Sequence, residues 1–162
     1  MKIWRYGDNV NTDMLFPGKY TYSCSTADEI IPHLLEDLDS SFSKDVRKGD
    51  IIIAGKNFGC GSSREQPVIG LKAVGIKAII AESFARIFYR ASINQGLVLI
   101  ESPDFVKAFS GNDSIELNLI KGIIKINKKD FSFPKLPKEI TEIQNSGGLL
   151  EYTRIKLKKK NK

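Results

Sequence analysis

Three apolar runs constrain the fold of this chain more than any other feature. Ile51-Ile52-Ile53-Ala54, Lys77 to Ala81 (KAIIA) and Leu97 to Ile100 are short, rich in β-branched residues and nearly continuous. Strands apolar at successive positions bury both faces, as in parallel sheets covered on each side. The segments between them carry helix signals. Val68 to Gly75 predicts a short helix closed by its glycine. Ser83 stands where it would cap a second helix, Phe84 to Gln95, stopped by Gly96. In that helix Phe84, Ile87, Phe88 and Ala91 share the apolar face. A β-α-β-α-β succession of this kind calls for parallel strands joined by crossover helices.

Elements of other character flank this unit. Lys2 to Tyr6 predicts a first strand, and Asp28 to Leu38 has helical spacing that Pro32 caps or kinks. Asp104 to Phe109 predicts a helical turn. Ser114 to Leu119 and Ile123 to Ile126 read as an antiparallel hairpin, and Phe131 to Phe133 as a short strand. Leu136 to Asn145 predicts a last helix, ended by Gly147-Gly148. No internal repeat or inter-domain linker interrupts the chain. The expectation is one α/β domain over residues 1–162, with mixed strand directions and flanking helices.

Composition excludes several function classes. No apolar run approaches the roughly 20 residues of a membrane span. Met1 to Tyr6 is strand-like and lacks a signal peptide's apolar segment, so a cytoplasmic protein is expected. The two cysteines, Cys24 and Cys60, form neither a disulfide framework nor a metal site by themselves. The single histidine, His33, weakens any Cys-His or Ser-His nucleophile scheme and reads as a solvated or satisfied side chain on a short surface helix. The net charge is +6, with much of the excess in a tail from Arg154 to Lys162. That tail reads as a frayed, solubilising terminus. A nucleic-acid-binding module is the alternative, but no aromatic residues are interleaved with the charges, and no nucleic-acid partner is expected.

Chemistry concentrates in two loops. The first runs from Gly7 to about Ala27, long for a compact domain and rich in Gly, Asn, Asp and Thr. The second, GKNFGCGSSREQP at 55–67, follows the first of the three apolar runs. Its glycines resemble a dinucleotide loop, but Arg64 stands where the third glycine belongs, and no Walker sequence is present. Ser63 and Gln66 have capping-box spacing, while Pro67 pushes a helix start to Gln66. Backbone N–H groups near such a start, the Arg64 fork and the Ser62 and Ser63 hydroxyls suit a small carboxylate or phosphate. Glu65 could hold Arg64 or a backbone group. Cys60 competes as a nucleophile, although a small packed thiol fits better with no second ligand nearby. Two such loops at strand ends could build one face of a site, yet neither supplies a metal or a strong base.

Taken together, GDNVNTD at 7–13, PGKY at 17–20, GKNFGCGSSREQP at 55–67 and SFARIFYRASINQGL at 83–97 resemble the small subunits of 3-isopropylmalate dehydratase, the swivelling domain of the aconitase superfamily. The resemblance implies a β/β/α swivel fold. It also implies a heterodimer or heterotetramer with a large subunit, whose own cysteines carry a [4Fe-4S] cluster; no metal is expected on this chain. The fourth iron would be a Lewis acid, and the reaction would interconvert 2-isopropylmalate and 3-isopropylmalate in leucine biosynthesis. By the same resemblance Ser62 is the catalytic base, acting as an alkoxide. Ser63 and Arg64 bind substrate, and Asp13 and Glu65 support the site. The position of Gln66 is often histidine in relatives and is read as structural. Thr21 and Tyr22 fall where the family selects the substrate's side group. Homoaconitase-like relatives place an arginine there for an extra carboxylate, and none occurs between Arg5 and Arg47. An isopropyl group, or the methyl of citramalate-type substrates, fits better; citramalate, dimethylmalate and homoaconitate remain the alternative substrates.

Overall fold

A computed structural model describes residues 1–111 and 113–160. Seven strands occur among them: β1 (Ile3–Arg5), β2 (Ile51–Ala54), β3 (Ala78–Ala81), β4 (Leu99–Glu101), β5 (Ile115–Asn118), β6 (Ile123–Ile126) and β7 (Lys129–Ser132). The helices are α1 (Thr12–Leu15), α2 (Ala27–Ile30), α3 (Phe42–Asp45), α4 (Gln66–Ala73), α5 (Arg86–Gln95), α6 (Pro103–Ala108), α7 (Lys138–Asn145) and α8 (Leu149–Lys160), with 3-10 turns at Gly18–Tyr20 and Ile31–His33.

The first four strands form a parallel sheet in the order β1-β2-β3-β4, and the last three an antiparallel sheet in the order β5-β6-β7. The two strand directions are thus divided between two sheets. The reason lies in β2 and β3, which are buried at every position. Successive side chains of a strand point to opposite faces. Ile52, Ala54, Ile79 and Ala81 join a core with Ile30, Leu34, Val68, Leu71 and Phe88, which come from the helical side. Ile51, Ile53, Ala78 and Ile80 join a second core with Phe105, Ile115, Ile124 and Phe131. The antiparallel sheet, with α6 beside it, therefore covers one face of the parallel sheet, and α2, α4 and α5 cover the other, a β/β/α layering. Each fully buried isoleucine contributes about 1.5–3 kcal/mol relative to exposure.

The edge strand β1 is pinned by Asp50. Its carboxylate accepts the Lys2 N–H at 2.6 Å, the Arg47 N–H at 2.9 Å and the Trp4 indole N–H at 3.2 Å, and Trp4 packs edge-on against Phe42. Burial pushes the pKa of this carboxyl up, but the three donated hydrogen bonds outweigh it and hold the pKa below the ordinary value.

Several elements depart from the sequence expectation. Helix α5 begins at Arg86 instead of Phe84. Ser83 is drawn away from capping because its hydroxyl accepts the Asn57 N–H at 2.9 Å, and Phe84 bridges to Phe58 in extended conformation. Phe88 is then the buried anchor and Ile87 is exposed. The helical spacing from Asp28 to Leu38 resolves into α2 and a 3-10 turn, because Thr26 and Glu29 form a capping box and Leu35 adopts φ +56°. The long loop from Gly7 contains α1 and a 3-10 turn. The third antiparallel strand lies at Lys129–Ser132, starting two residues and ending one residue earlier than expected, because Ile123 to Ile126 pair with it in that register. Gly147 and Gly148 end α7 but lead into α8, so the basic tail is helical through Lys160 instead of frayed, tied to α7 by the Tyr152 hydroxyl on Glu142 at 3.2 Å. Its last two residues, 161–162, lie outside the described residues. His33 stacks on Tyr20 and pairs through Nδ1 with Glu36 at 2.9 Å.

Candidate active site

Strands β1 and β2 are parallel neighbours, so the loops that leave them open at the same carboxyl edge of the sheet. Backbone hydrogen bonds then join the two loops side by side. Gly55 N donates to Gly7 O at 3.1 Å, Asn9 N to Lys56 O at 2.8 Å, Gly59 N to Val10 O at 2.8 Å and Thr12 N to Cys60 O at 2.7 Å. The Asp8 carboxylate adds a bond from Lys56 N at 2.7 Å. Asn11 caps α1 by accepting the Met14 N–H at 2.9 Å, which sets Thr12 and Asp13 in the first turn.

This pairing brings residues about fifty positions apart into contact. Gly61 has φ +107°, and a Cβ there would lie 2.8 Å from the Thr12 hydroxyl oxygen, so the position demands glycine on both counts. Immediately after it, the Ser62 N–H donates to Thr12 Oγ1 at 2.9 Å, and the two hydroxyl oxygens stand 3.1 Å apart. Arg64 spreads its planar group across the cluster. Nε donates to Ser62 Oγ at 2.7 Å, Nη1 to Thr21 Oγ1 at 2.9 Å and Nη2 to Asp13 Oδ1 at 2.6 Å. The Arg64 side chain is 15% exposed, against 65% for Asp13.

The structure thus assembles Ser62, Arg64, Thr21 and Asp13, four of the residues singled out from sequence. Ser63 and Tyr22 are exposed and, among the described residues, make no side-chain hydrogen bond with this cluster; Tyr22 is fully exposed. Glu65 does not hold Arg64. It precedes α4 and accepts a hydrogen bond from Gln95 of α5 at 3.4 Å. The Ser63–Gln66 capping box does not form, because the helix starts at Gln66 with Pro67 behind it and the Gln66 side chain donates to the Thr21 carbonyl at 3.2 Å. Thr12 was not assigned a role from sequence. Its only signal was its place next to Asp13, and its contact with Ser62 spans two loops.

Chemically, the cluster offers one hydroxyl held by a cation, with an anion-binding fork beside it. Hydrogen bonding from a guanidinium favours the charged form of its acceptor. Arginine carries five N–H donors, and the three bonds above leave two for an incoming carboxylate. Cys24 is buried; Cys60 is partly exposed, with its thiol 3.7 Å from the Asn9 carbonyl. Among the described residues no group of three or more His, Cys, Asp or Glu side chains is placed to hold a metal ion. The donor set of these residues therefore does not fit an iron–sulfur cluster.

A parallel sheet with this two-loop cluster at its carboxyl edge places the protein in a known class: the chain belongs to the aconitase C-terminal domain family, whose model matches residues 9–104 and spans the whole cluster. Within that class it is similar along almost its full length to 3-isopropylmalate dehydratase small subunits. It is 45% identical over 160 residues to the one from Caldicellulosiruptor saccharolyticus, covering 98% of this chain and 92% of the relative. It is 49% identical over 155 residues to the one from Endomicrobium trichonymphae, covering 93% of each. The crystal structure of a 3-isopropylmalate dehydratase from Methanocaldococcus jannaschii superposes with a TM-score of 0.87 at 40% identity, covering 99% of this chain and 97% of that one.

Proposed function

We propose that this chain is the small subunit of a 3-isopropylmalate dehydratase, a hydro-lyase that interconverts 2-isopropylmalate and 3-isopropylmalate in leucine biosynthesis. The observation that carries this reading is 45% identity over 98% of the chain to a small subunit of that name. On this reading residues 1–162 act as one swivel domain in the cytoplasm, closing over a large subunit. The [4Fe-4S] cluster belongs to that large subunit and, when bound there, supplies Lewis-acid polarisation of the substrate.

The residues of this chain divide the remaining work. Ser62 takes the proton alpha to a substrate carboxylate. A free serine is far too weakly acidic for this, and the Arg64 Nε bond at 2.7 Å supports its alkoxide. The two remaining Arg64 N–H groups bind a substrate carboxylate, and Asp13 fixes the plane of the guanidinium. Ser63, exposed beside them, contributes its hydroxyl and backbone N–H. Thr21 links the loop after Pro17-Gly18-Lys19-Tyr20 to Arg64, and the exposed Tyr22 flanks the isopropyl group. Glu65 supports the loop through Gln95.

Co-expression with a candidate large subunit tests the reading. Isomerase activity is expected only with both chains present. Ser62→Ala should lower kcat by at least about 100-fold with assembly intact. Full activity of that variant removes Ser62 from the role of base.

A further inference from the structure

We infer that Thr12 is a positioning residue that donates its hydroxyl proton to Ser62 Oγ and so holds that oxygen ready to lose its own proton. The inference deepens the reading of Ser62 as the base and rests on it.

Thr12 is 1% exposed, one of few buried polar side chains. Its Oγ1 accepts the Ser62 N–H at 2.9 Å and stands 3.1 Å from Ser62 Oγ. Among the described residues these are its only side-chain hydrogen bonds. The distances leave the direction of the second bond open, but counting protons fixes it. A hydroxyl carries one proton, and a buried donor without an acceptor is costly. The one acceptor within reach of the Thr12 proton is Ser62 Oγ. Ser62 is exposed, so its own proton can point outward to water or a ligand.

Ser62 Oγ therefore accepts two hydrogen bonds, from Thr12 Oγ1 and from Arg64 Nε at 2.7 Å, and directs its proton away from the protein. When that proton leaves, the same two donors face the alkoxide without rearrangement, which is the arrangement that stabilises developing negative charge. Thr12 keeps its proton throughout. The close approach of the hydroxyl is possible because residue 61 is glycine; a Cβ there would sit 2.8 Å from Thr12 Oγ1. The proton on Ser62 then points to the exposed side of the loop.

The test compares Thr12→Val, Thr12→Ser and Ser62→Ala in the enzyme assembled with its large subunit. Thr12→Val should lower kcat by about 100-fold, the usual loss for one oxyanion donor, and leave KM within about threefold. Its kcat–pH profile should have an ascending limb moved to higher pH, because loss of a donor disfavours the alkoxide. Thr12→Ser should restore most of the rate and the original limb. A Thr12→Val enzyme with unchanged kcat and pH limb overturns the inference, as does a folded, assembled Thr12→Ser enzyme as slow as the valine variant. If the valine variant does not assemble, Thr12→Cys, whose thiol is a weak donor, replaces it, and an unmoved limb there overturns the inference equally. Ser62→Ala separates the two readings: full activity overturns the base itself, whereas an inactive Ser62→Ala beside an unaffected Thr12→Val overturns only Thr12.

Discussion

Replacing Arg64 by lysine keeps the positive charge and removes the fork. In the structure three separate nitrogens of Arg64 reach Ser62, Thr21 and Asp13, which lie on two loops. A lysine ammonium is a single point and can satisfy one of these partners well. A hydrogen bond from a charged donor is worth about 1.5–3 kcal/mol net, whereas the pair with Asp13, 65% exposed, contributes about 0.2–1 kcal/mol after solvent screening. Losing one charge-assisted bond, the part-buried one to Thr21 or the exposed one to Ser62, at the low end of that range together with the exposed pair sums to roughly 2 kcal/mol. For a chain of 162 residues that is a fall in Tm of about 4–8 °C. Thermal unfolding of the purified chain measures this directly. In the assembled enzyme the loss of planar recognition should lower kcat/KM by about 100-fold, since each 1.4 kcal/mol is a factor of ten. A lysine variant that melts within about 1 °C of the parent and keeps kcat/KM within about threefold refutes both the bracing and the carboxylate role. Unchanged melting with lost activity refutes the bracing alone.

Other perturbations follow from the same geometry. Gly59→Ala should be destabilised by about 2–5 kcal/mol, since φ is +79° and the new Cβ would lie 2.1 Å from Cγ of the buried Phe88; urea unfolding checks it, with Gly7→Ala, which meets no atom within 4 Å, as the near-neutral control. Asp50 gives the fold an acid dependence. Its pKa is lower folded than unfolded, so its contribution is complete above the ordinary 3.8 and is lost as the pH falls through the folded value. Stability measured against pH should decline less steeply over that acid range in Asp50→Asn than in the parent, and parallel curves would remove Asp50 as the cause.

The parallel sheet was legible because β2 and β3 are apolar at every position, a pattern that only two-sided burial explains. The division into two sheets was not. Alternation along Ile115 to Leu117 says that one face is covered but not by what, and here the cover is the underside of another sheet. The start of α5 was misplaced because Ser83 has two uses for one hydroxyl, and a contact with Asn57 won over the cap. Helix α8 was hidden because its leucines and isoleucine, Leu149, Leu150, Ile155 and Leu157, are exposed and mark no buried stripe. In the site, Ser62 and Arg64 stood out because reactive and charged groups between glycines are unusual in a connector. Thr12 did not, because its meaning depends on an approach to Ser62 that no local pattern encodes. Glu65 beside Arg64 looked like its partner, but the turn into α4 sends that side chain toward Gln95.

The row of backbone bonds between residues 7–12 and 55–60 has a consequence for assembly. On the proposed reading, a surface already stitched in this way would meet the large subunit as a finished casting. Side chains that must be ordered at an interface cost about 0.5–1.5 kcal/mol each, and here Thr12, Arg64 and Thr21 are ordered before contact. Docking is left with shape matching and the removal of water, so its heat-capacity change should follow the area covered, with no added signature of coupled folding. The glycines of the serine loop thus serve a template whose relief is cut before the mould is closed.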